Sequence, residues 1–336
     1  MDTPAPASLR TPPPPRARAR FAEGFGQRFL LTVDTEEEFD WRAGFSKTGY
    51  GLDHVARLAE FQQFCEARLV APVYLVDWPI ARSAEAAGIL GPAVARGKAE
   101  IGVQLHPWVN PPHEEELTEH NSFAGNLPLA LERAKLLRLR DQIVTAFGFQ
   151  PVIYRAGRYG AGPHTAAILR EAGIAIDSSV RSHFDYTALG GPDYRAHPLM
   201  PYWVGPGRDL LELPVTSVFW GMLRRQGRWL HPAMARVPRL PGLMSRLGLL
   251  ERIPLTPEGT TRDEAIRGLD IALDDGLPLI VLSFHSPSLV PGHTPYVRSE
   301  ADLDRLYDWL RDVLAYLDAR GVRPTTAAQI MAAVVR

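Results

Sequence analysis

The feature that most constrains the fold of this chain is a repeated alternation between short apolar runs and amphipathic stretches. Continuous apolar runs are typical of strands buried on both faces, and the helical patterns between them are typical of the helices that cover such a sheet. Seven or eight units in about 300 residues favour α/β architecture closed into a distorted (β/α) barrel of about seven parallel strands. The predicted strands span residues 29–33, 72–77, 100–105, 151–155, 174–177, 210–215 and 279–284.

Amphipathic stretches lie between most of these strands, and helix-start signals support two of the later helices. In each signal a threonine is followed three residues later by Glu or Gln, the spacing of a capping box in which side chains satisfy free N–H groups. The two pairs are Thr261 with Glu264 and Thr326 with Gln329. The helical patterns cover residues 51–68, 83–97, 128–147, 163–172, 261–275 and 299–320.

The overall charge and the cysteine content exclude several classes of protein. Among 336 residues, 37 are Lys or Arg and 38 are Asp or Glu, so the formal net charge is −1 and no global attraction to nucleic acid or membrane is expected. The single cysteine, Cys65, excludes an intramolecular disulfide and a cysteine-rich zinc site. Its place in the helix-like stretch "FQQFCEARL" predicts a small apolar core residue.

Residues 1–28 differ from the rest of the chain because proline, alanine and arginine dominate them. This composition predicts a disordered tail ahead of a single domain at residues 29–336. The tail lacks the apolar core of a signal peptide, and no run in the sequence is long enough to span a bilayer. We therefore expect a cytoplasmic protein.

An arginine-rich insertion at residues 217–258 interrupts the alternation of strands and helices. Its arginines lie among Trp, Leu and Met with few acids. Long insertions in compact domains are usually functional or disordered. The insertion could contact an anionic or lipid-linked substrate or lie on a membrane surface. It could equally be a lid or subdomain whose arginines are solvated.

Polar residues gather where the predicted strands end, which in a parallel α/β barrel is the edge that carries the active site. Spacing adds to this pattern. Asp34 and Glu36 are two residues apart, as are Gln104 and His106, so each pair points to one side of an extended strand. The strand-end residues are Asp34, Glu36, Gln104, His106, Arg155, Arg158, Asp177 and His285.

A carboxylate pair and a His/Gln pair at one mouth predict either a divalent metal site or a water polarised without a metal. His285, at the end of the last strand, is suited to donate a proton to a leaving group. The rest of the acidic run, Glu37, Glu38 and Asp40, is predicted to be mostly a solvated loop.

Six stretches together resemble the NodB-homology polysaccharide deacetylase family, and its WalW-like branch in particular. They are "LTVDTEEEFDW", "EIGVQLHPWVNPP", "NSFAGNLP", "YRAGRYGAG", "DSSV" and "LSFHSPSLVPGHTPY", and they extend from about residue 29 to 297. The resemblance implies a distorted barrel of seven strands that removes N-acetyl groups from amino sugars in glycans. By motif, Asp34 matches the general base, Arg155 the arginine that orients it, and His285 the general acid.

The metal-binding positions of the family are changed in this chain. The family usually binds a zinc-like ion through one aspartate and two histidines, and Thr35, Gln104 and Trp108 occupy the matching positions. Glu36, His106 and Gln104 could rebuild a site for a divalent, zinc-like metal, and the alternative is hydrolysis without a metal.

The resemblance predicts a hydrolase of non-peptide carbon–nitrogen bonds, a carbohydrate N-deacetylase that acts in cell-surface polysaccharide or lipid-linked sugar assembly. Its partner would be an N-acetylated sugar or glycan, contacted at the substrate or oxyanion by Arg158, Tyr159 and Trp108. Two alternatives stay open. One is a metal-independent amide C–N hydrolase on the same barrel, and the other is a non-catalytic glycan-binding protein.

Overall fold

The computed structural model describes residues 8–40 and 44–336, so the first seven residues of the predicted tail and Trp41 of the first motif lie outside the described part. Its strands are β1 (Arg20–Phe21), β2 (Arg28–Thr35), β3 (Val73–Val76), β4 (Glu100–Leu105), β5 (Ile153–Ala156), β6 (Ile176–Asp177), β7 (Tyr202–Trp203), β8 (Leu211–Glu212), β9 (Ser217–Trp220), β10 (Glu251–Pro254), β11 (Leu279–His285), β12 (Arg323–Pro324) and β13 (Val334–Val335). Its α-helices are α1 (Leu58–Glu66), α2 (Trp78–Arg82), α3 (Ala84–Ala95), α4 (Leu129–Phe147), α5 (Thr165–Glu171), α6 (Gly227–Ala235), α7 (Leu240–Arg246), α8 (Arg262–Asp274), α9 (Glu300–Ala319) and α10 (Ala327–Ala333).

A mostly parallel sheet forms the centre of the molecule, in the order β11–β2–β3–β4–β5–β6–β8–β7, with β12 also paired to β2. The pair of β7 with β8 is antiparallel. The seven predicted strands are all present in this sheet, as β2, β3, β4, β5, β6, β8 and β11. Their prediction is confirmed because each is a short apolar run buried on both faces.

The two sides of this sheet approach each other through a connecting segment, which makes the architecture a distorted barrel. Thr216, just after β8, donates its N–H to the carbonyl of Val281 on β11 at 3.3 Å. The N–H of Val281 in turn donates to the hydroxyl of Thr216 at 2.9 Å. Leu255 then donates its N–H to the carbonyl of Thr216 at 3.1 Å. Single residues rather than a full strand therefore close the barrel.

Alternate residues along β2 face opposite sides of the sheet. Phe29, Leu31 and Val33 belong to the large apolar cluster that also contains the helix residues Leu58 and Phe61. Leu30 belongs to a second cluster inside the barrel, together with residues of β3, β5, β6, β11 and α10. Thr32 and Asp34 are two and four residues after Leu30, so their side chains point to the same side of the strand. Asp34, the first acid of the run, therefore faces the inside of the barrel.

The predicted helix starts are largely confirmed. Thr261 and Glu264 form a complete capping box at the start of α8. Thr326 caps α10 through the N–H of Gln329, but Gln329 itself accepts a hydrogen bond from Thr325 and so does not close the second half of the box. A third box joins Ser299 to Asp302 at the start of α9, where a shorter acid replaces the usual Glu.

The described part of the N-terminal segment is packed on the barrel, in contrast to the disorder that its composition predicts. Leu9 is fully buried. Arg10 donates to the side chain of Asn126 at 2.7 Å. Strand β1 pairs with β13 at the other end of the chain. A few buried apolar residues, spaced among prolines and arginines, therefore hold this segment against the barrel although its average composition is polar.

The arginine-rich insertion is a small unit of its own. Strands β9 and β10 pair antiparallel, and helices α6 and α7 lie between them in the chain. Phe219, Met234 and Leu250 form its own small apolar cluster. In the described ranges, 8–40 and 44–336, none of the helices is sufficiently long and apolar to pass through a bilayer.

Candidate active site

A cavity of about 560 Å³ opens where the carboxyl ends of the central strands meet. The nine residues predicted to act in catalysis, substrate contact or metal binding all line it, namely Asp34, Glu36, Gln104, His106, Trp108, Arg155, Arg158, Tyr159 and His285. Asp177, a further strand-end residue, is buried and accepts hydrogen bonds from the N–H and hydroxyl of Ser179. The structure thus brings the predicted residues together, while their roles stay predictions.

Asp34 is held by a fully engaged arginine. The guanidinium of Arg155 donates to Asp34, to the hydroxyl of Ser283 at 2.8 Å and to the hydroxyl of Thr32 at 3.0 Å. Its remaining donors reach the carbonyl of Ser178 at 2.9 Å and the hydroxyl of the same residue at 3.1 Å. Both Asp34 and Arg155 are buried, so this ion pair fixes the carboxylate in one orientation.

His285 lies beside Asp34 because β11 and β2 pair in parallel with these two residues in register. Its Nε2 is 3.8 Å from Oδ2 of Asp34. Its Nδ1 lies 2.6 Å from Oε2 of Glu258, whose other oxygen accepts from the hydroxyl of Ser288 at 2.5 Å. The imidazole is therefore oriented by one carboxylate and points its other nitrogen toward the second.

The surrounding carboxylates control the charge of His285. Burial by itself would lower the pKa of this imidazole, but the negative charges of Glu258, Glu36 and Asp34 and the hydrogen bond that His285 donates to Glu258 outweigh it and raise the pKa to about 10. His285 is therefore protonated at neutral pH, which is the state required of a general acid.

Glu258 is a site residue that sequence reasoning missed. It follows β10 at the end of the arginine-rich insertion, far in sequence from the motif that contains His285. The insertion returns to the cavity at this point, and the short stretch "TPEGT" gives no helix, strand or motif signal. The hydrogen bonds of Glu258 with His285 and Ser288 in the structure show that this glutamate reaches the site.

Glu36 occupies the wall between the two imidazoles. Its Oε2 accepts from the amide of Gln104 at 3.0 Å and lies 3.4 Å from Nε2 of His106. Burial raises the pKa of Glu36 to about 8, although the imidazoles of His285 and His106 lower it somewhat. The side chain is therefore a neutral carboxylic acid at neutral pH and can donate a hydrogen bond into the cavity.

Glu37 and Glu38 are buried, so the expectation that they form a solvated loop is wrong. Glu37 accepts from the indole of Trp108 at 2.6 Å and contacts Nδ1 of His106 at 2.9 Å. Trp108 also stacks on His106, with ring centroids 4.3 Å apart. Because the indole N–H of Trp108 already donates to Glu37, it is not free for the predicted oxyanion contact, and Trp108 lines the cavity without a free N–H donor.

Glu38 continues the buried network on the other side of the loop. Its Oε1 lies 2.9 Å from Nδ1 of His54 and accepts the N–H of His54 at 2.7 Å. Nε2 of His54 lies 2.8 Å from the hydroxyl of Ser286, which also accepts the N–H of Glu36 at 3.3 Å. This chain ties the acidic loop to the residue that follows His285.

The side chains at the metal-binding positions of the resemblance do not fit a zinc-like ion. The hydroxyl of Thr35 donates to the carbonyl of Val33 at 2.9 Å, and Trp108 carries no metal-ligating atom. Gln104 turns its amide N–H to Glu36 and leaves its buried Oε1 without a hydrogen-bond partner. Of the three residues that could rebuild the site, only His106 and Glu36 carry groups that zinc commonly binds, since a glutamine amide is not among its usual Cys, His, Asp and Glu ligands. Two such groups are fewer than the three protein ligands usual for catalytic zinc.

A second group of potential ligands is satisfied without a metal. Oxygen or nitrogen atoms of Glu37, Asp77 and His106 lie within 4.8 Å of one another. Asp77 already accepts the N–H groups of Ile80 at 2.9 Å and Glu37 at 2.8 Å. Burial raises the pKa of both Glu37 and Asp77. These groups form a hydrogen-bonded layer behind His106 that holds its ring in place.

Comparison with known proteins does not assign a family. No protein-family profile matches the chain, and no curated protein matches it. Among solved structures, a polysaccharide deacetylase from Mycobacterium smegmatis, so named provisionally, is 20% identical over 94% of this chain and 97% of its own, with a TM-score of 0.46.

Two further structures are similar at comparable levels. The 4-α-glucanotransferase of Thermococcus litoralis is 15% identical over 91% of this chain and 40% of its own, with a TM-score of 0.47. The family 4 carbohydrate esterase of Streptomyces lividans is 10% identical over 92% of this chain and 97% of its own, with a TM-score of 0.43. At these identities and TM-scores the similarities assign no activity to this chain.

Proposed function

We propose that this chain is a carbohydrate N-deacetylase that hydrolyses an acetamide without a metal ion. The observation that carries the proposal is the placement of Asp34 and His285 side by side in one cavity, each fixed by its own buried partner. A carboxylate base and a protonated imidazole acid at this separation can act on the two ends of one amide bond. The motif resemblance supports an N-acetylated sugar as the substrate.

In the proposed reaction Asp34 removes a proton from a water, and the water oxygen attacks the acetamide carbonyl. Arg155 balances the charge of the carboxylate and holds it toward the cavity. When the tetrahedral intermediate collapses, the C–N bond breaks and His285 donates its proton to the leaving amine. Glu258 accepts a hydrogen bond from His285 throughout and keeps the imidazole in position.

The developing oxyanion needs donors that replace a metal. Glu36 supplies one, since burial keeps its carboxyl protonated at neutral pH. Tyr159 supplies a second, because burial raises the pKa of its hydroxyl far above neutrality and leaves it a donor. Arg158 is engaged by Glu119 at 2.9 Å and by the hydroxyl of Ser122, so we place it at the rim with the substrate rather than at the oxyanion.

Aromatic rings on the cavity wall suit the apolar faces of sugar rings. Tyr159 stacks with Tyr186 at a centroid distance of 5.9 Å. On the other side, Phe45 packs against Trp108 at 4.9 Å. The cavity that these rings line has a volume of about 560 Å³, which is typical of small-ligand sites.

Acetate release from a panel of N-acetylated sugars, measured with and without a chelator, tests this proposal. We expect release in the presence of chelator and a loss of about 10²-fold or more in kcat for both Asp34→Asn and His285→Ala. Retained binding without any acetate release would support the glycan-binding alternative instead. Loss of activity on chelation, restored by added zinc, would contradict the metal-free mechanism.

We further propose that the insertion contacts an anionic membrane surface, where a lipid-linked substrate would be found. Residues 221–250 contain six arginines and no acid. Met222 is 81% exposed and Trp229 is 72% exposed, beside further exposed apolar residues at Leu243 and Leu247. Basic residues with exposed aromatic and aliphatic side chains are typical of surfaces that lie on anionic lipid.

A further inference from the structure

We propose that the cavity contains a subsite for an oxyanion at Arg181, so that the N-acetylated substrate carries a carboxylate or a phosphate. This inference rests on the proposed function, because it names the class of sugar that the same cavity accepts. The resemblance assigns no role to Arg181, which lies between β6 and β7 and lines the cavity.

Aromatic rings hold the guanidinium of Arg181 in place. Its central carbon lies 3.9 Å from the centroid of the Phe184 ring and 5.1 Å from that of Tyr159. Its backbone forms a parallel bridge with Val215, next to the segment that closes the barrel. Ring contacts restrain a guanidinium but use none of its N–H donors, which lie in the plane of the group.

The hydrogen-bonding capacity of Arg181 is largely unused. One terminal nitrogen is 3.4 Å from the hydroxyl of Tyr186, a long hydrogen bond. Its Nε is buried and has no hydrogen-bond partner. Within the described residues, no carboxylate forms an ion pair with it. A half-buried cation whose Nε is buried without a partner is costly, and an anionic ligand would remove that cost.

The other two arginines on the cavity wall lack this spare capacity. Arg155 donates to five groups around Asp34, as described above. Arg158 is paired with Glu119. Arg181 is therefore the lining arginine that can receive a new ligand, as far as residues 8–40 and 44–336 show.

A second cation reinforces the positive charge at this side of the cavity. The guanidinium carbon of Arg252 lies 3.6 Å from the centroid of the same Phe184 ring, and one of its nitrogens donates to the carbonyl of His183 at 2.8 Å. Burial, together with the charge of Arg181, lowers the pKa of Arg252 to about 10. Two guanidinium groups thus share one ring, and in the part of the chain that the structure describes neither forms a salt bridge with a carboxylate.

The chemistry of this subsite indicates its ligand. A planar guanidinium with free N–H groups binds the two oxygens of a carboxylate or phosphate with matched geometry. The carboxylates of Asp34 and Glu258 form the acidic part of the cavity, which would repel the same group. An acidic amino sugar would therefore bind in one orientation, with its anion at Arg181 and its acetamide at Asp34.

Ligand binding to the Asp34→Asn variant, which cannot turn the substrate over, tests the subsite. The probes are an N-acetylated aminouronic acid, its neutral methyl ester, and an N-acetylated sugar phosphate. We expect the acidic probes to bind about tenfold or more tightly than the ester, since charge-assisted hydrogen bonds are strong. Arg181→Gln should abolish that preference, and Arg181→Lys should restore part of it. The preferred acidic probe separates a carboxylate from a phosphate.

The matched control is Arg16→Gln, which removes the same charge from an exposed residue and should leave the preference for acidic probes unchanged. Equal affinity for ester and acid, equal weakening of both by Arg181→Gln, or no binding of an acidic probe would each overturn the subsite. Acetate release from acidic sugars that is no faster than from neutral ones, and unchanged in Arg181→Gln, would overturn the subsite while the proposed function stands. Arg181-dependent binding of acids with no acetate release by the native protein would overturn the function while the subsite stands.

Discussion

At the scale of single residues, the acidic run that begins at the end of β2 has members in three different settings. Asp34 faces the cavity near His285, Glu36 lines the same cavity as a neutral acid, and Glu37 and Glu38 lie behind the wall against His106 and His54. Five carboxyls so close together would repel one another if all were ionised. Burial and contacts with imidazoles shift the pKa values of these carboxyls and so determine which of them are ionised.

We expect the ionisation of Glu36 to set the highest pH at which the protein is fully active. Because burial raises its pKa to about 8, the carboxyl donates a hydrogen bond below that pH and becomes a second negative charge beside Asp34 above it. We therefore expect kcat for acetate release to fall as the pH rises through about 8. His285, with a pKa of about 10, stays protonated over that range and cannot cause the fall.

Glu36→Gln provides the control, since an amide keeps an N–H donor at every pH. In this variant the fall set by Glu36 should disappear, and any remaining fall should follow His285, whose pKa lies below about 10 once the Glu36 charge that helps to raise it is removed. The value of kcat at neutral pH should stay within about tenfold of the native value. A profile in Glu36→Gln that still falls near pH 8 would show that another group titrates there. Steady-state rates between pH 6 and about 10 make the comparison.

Which site residues could be predicted depended on how each reaches the cavity. Asp34, Arg155 and His285 are at the ends of buried strands, and alternation along a strand fixes the side they face. Glu37 follows Glu36 directly, so alternation along the strand predicts that its side chain points away from the cavity. Alternation does not predict that Glu37 is buried and accepts a hydrogen bond from Trp108. Glu258 reaches the site through a contact between distant segments, which no local pattern encodes.

At the scale of elements, the seven central strands were predictable because each is a dense apolar run. The hairpin of β9 and β10 was not, since its helices carry arginine and proline among exposed apolar residues. Its sequence left open whether its arginines contact substrate, lie on a membrane or are solvated. Arg224 pairs with Asp275 on the outside, at 2.9 Å, whereas Arg252 lies near the cavity, against the Phe184 ring.

Binding to lipid vesicles tests the insertion as a membrane contact. We expect the protein to sediment with vesicles that contain phosphatidylglycerol and to remain in solution with pure phosphatidylcholine, because the six arginines favour anionic lipid. Replacing Arg225, Arg228 and Arg236 by Gln should weaken binding roughly 100-fold, at about 1 kcal/mol for each charge. Trp229→Ser should also weaken vesicle binding. Because this contact is apolar, the loss should be the same at high and at low salt.

The matched control replaces three arginines on or beside α9, Arg298, Arg305 and Arg311, by Gln. The net charge changes equally, so a similar loss of binding would point to overall charge rather than to the insertion. Vesicle binding that is indifferent to lipid charge, or to all of these substitutions, would contradict the membrane contact.

At the scale of the whole molecule, the two ends of the chain join across the barrel. Strand β1 pairs with β13, and the carbonyl of Leu9 lies 3.1 Å from Nε2 of His197. Composition predicted disorder for this region because an average over residues 1–28 hides single buried anchors such as Leu9 and Ala19. The N-terminal segment is thus part of the structure that must unfold with the barrel.

Leu9→Ala should therefore destabilise the entire protein. Truncation of a fully buried leucine usually costs about 2–5 kcal/mol of unfolding free energy. Denaturant unfolding followed by circular dichroism measures the change, and Thr11→Ala, at an exposed neighbouring residue, should stay within about 0.5 kcal/mol of the native protein. An unchanged transition in Leu9→Ala would show that the segment is only loosely attached.

The chain of Glu38, His54 and Ser286 has a consequence for the kinetics of substrate capture. It fastens the loop that carries Glu36 to the end of β11, on the side away from the cavity, and needs no ligand to form. A wall already in its working arrangement has no slow isomerisation to complete after the first encounter. Stopped-flow binding should accordingly show one exponential phase, with a rate that rises linearly with ligand concentration and does not saturate.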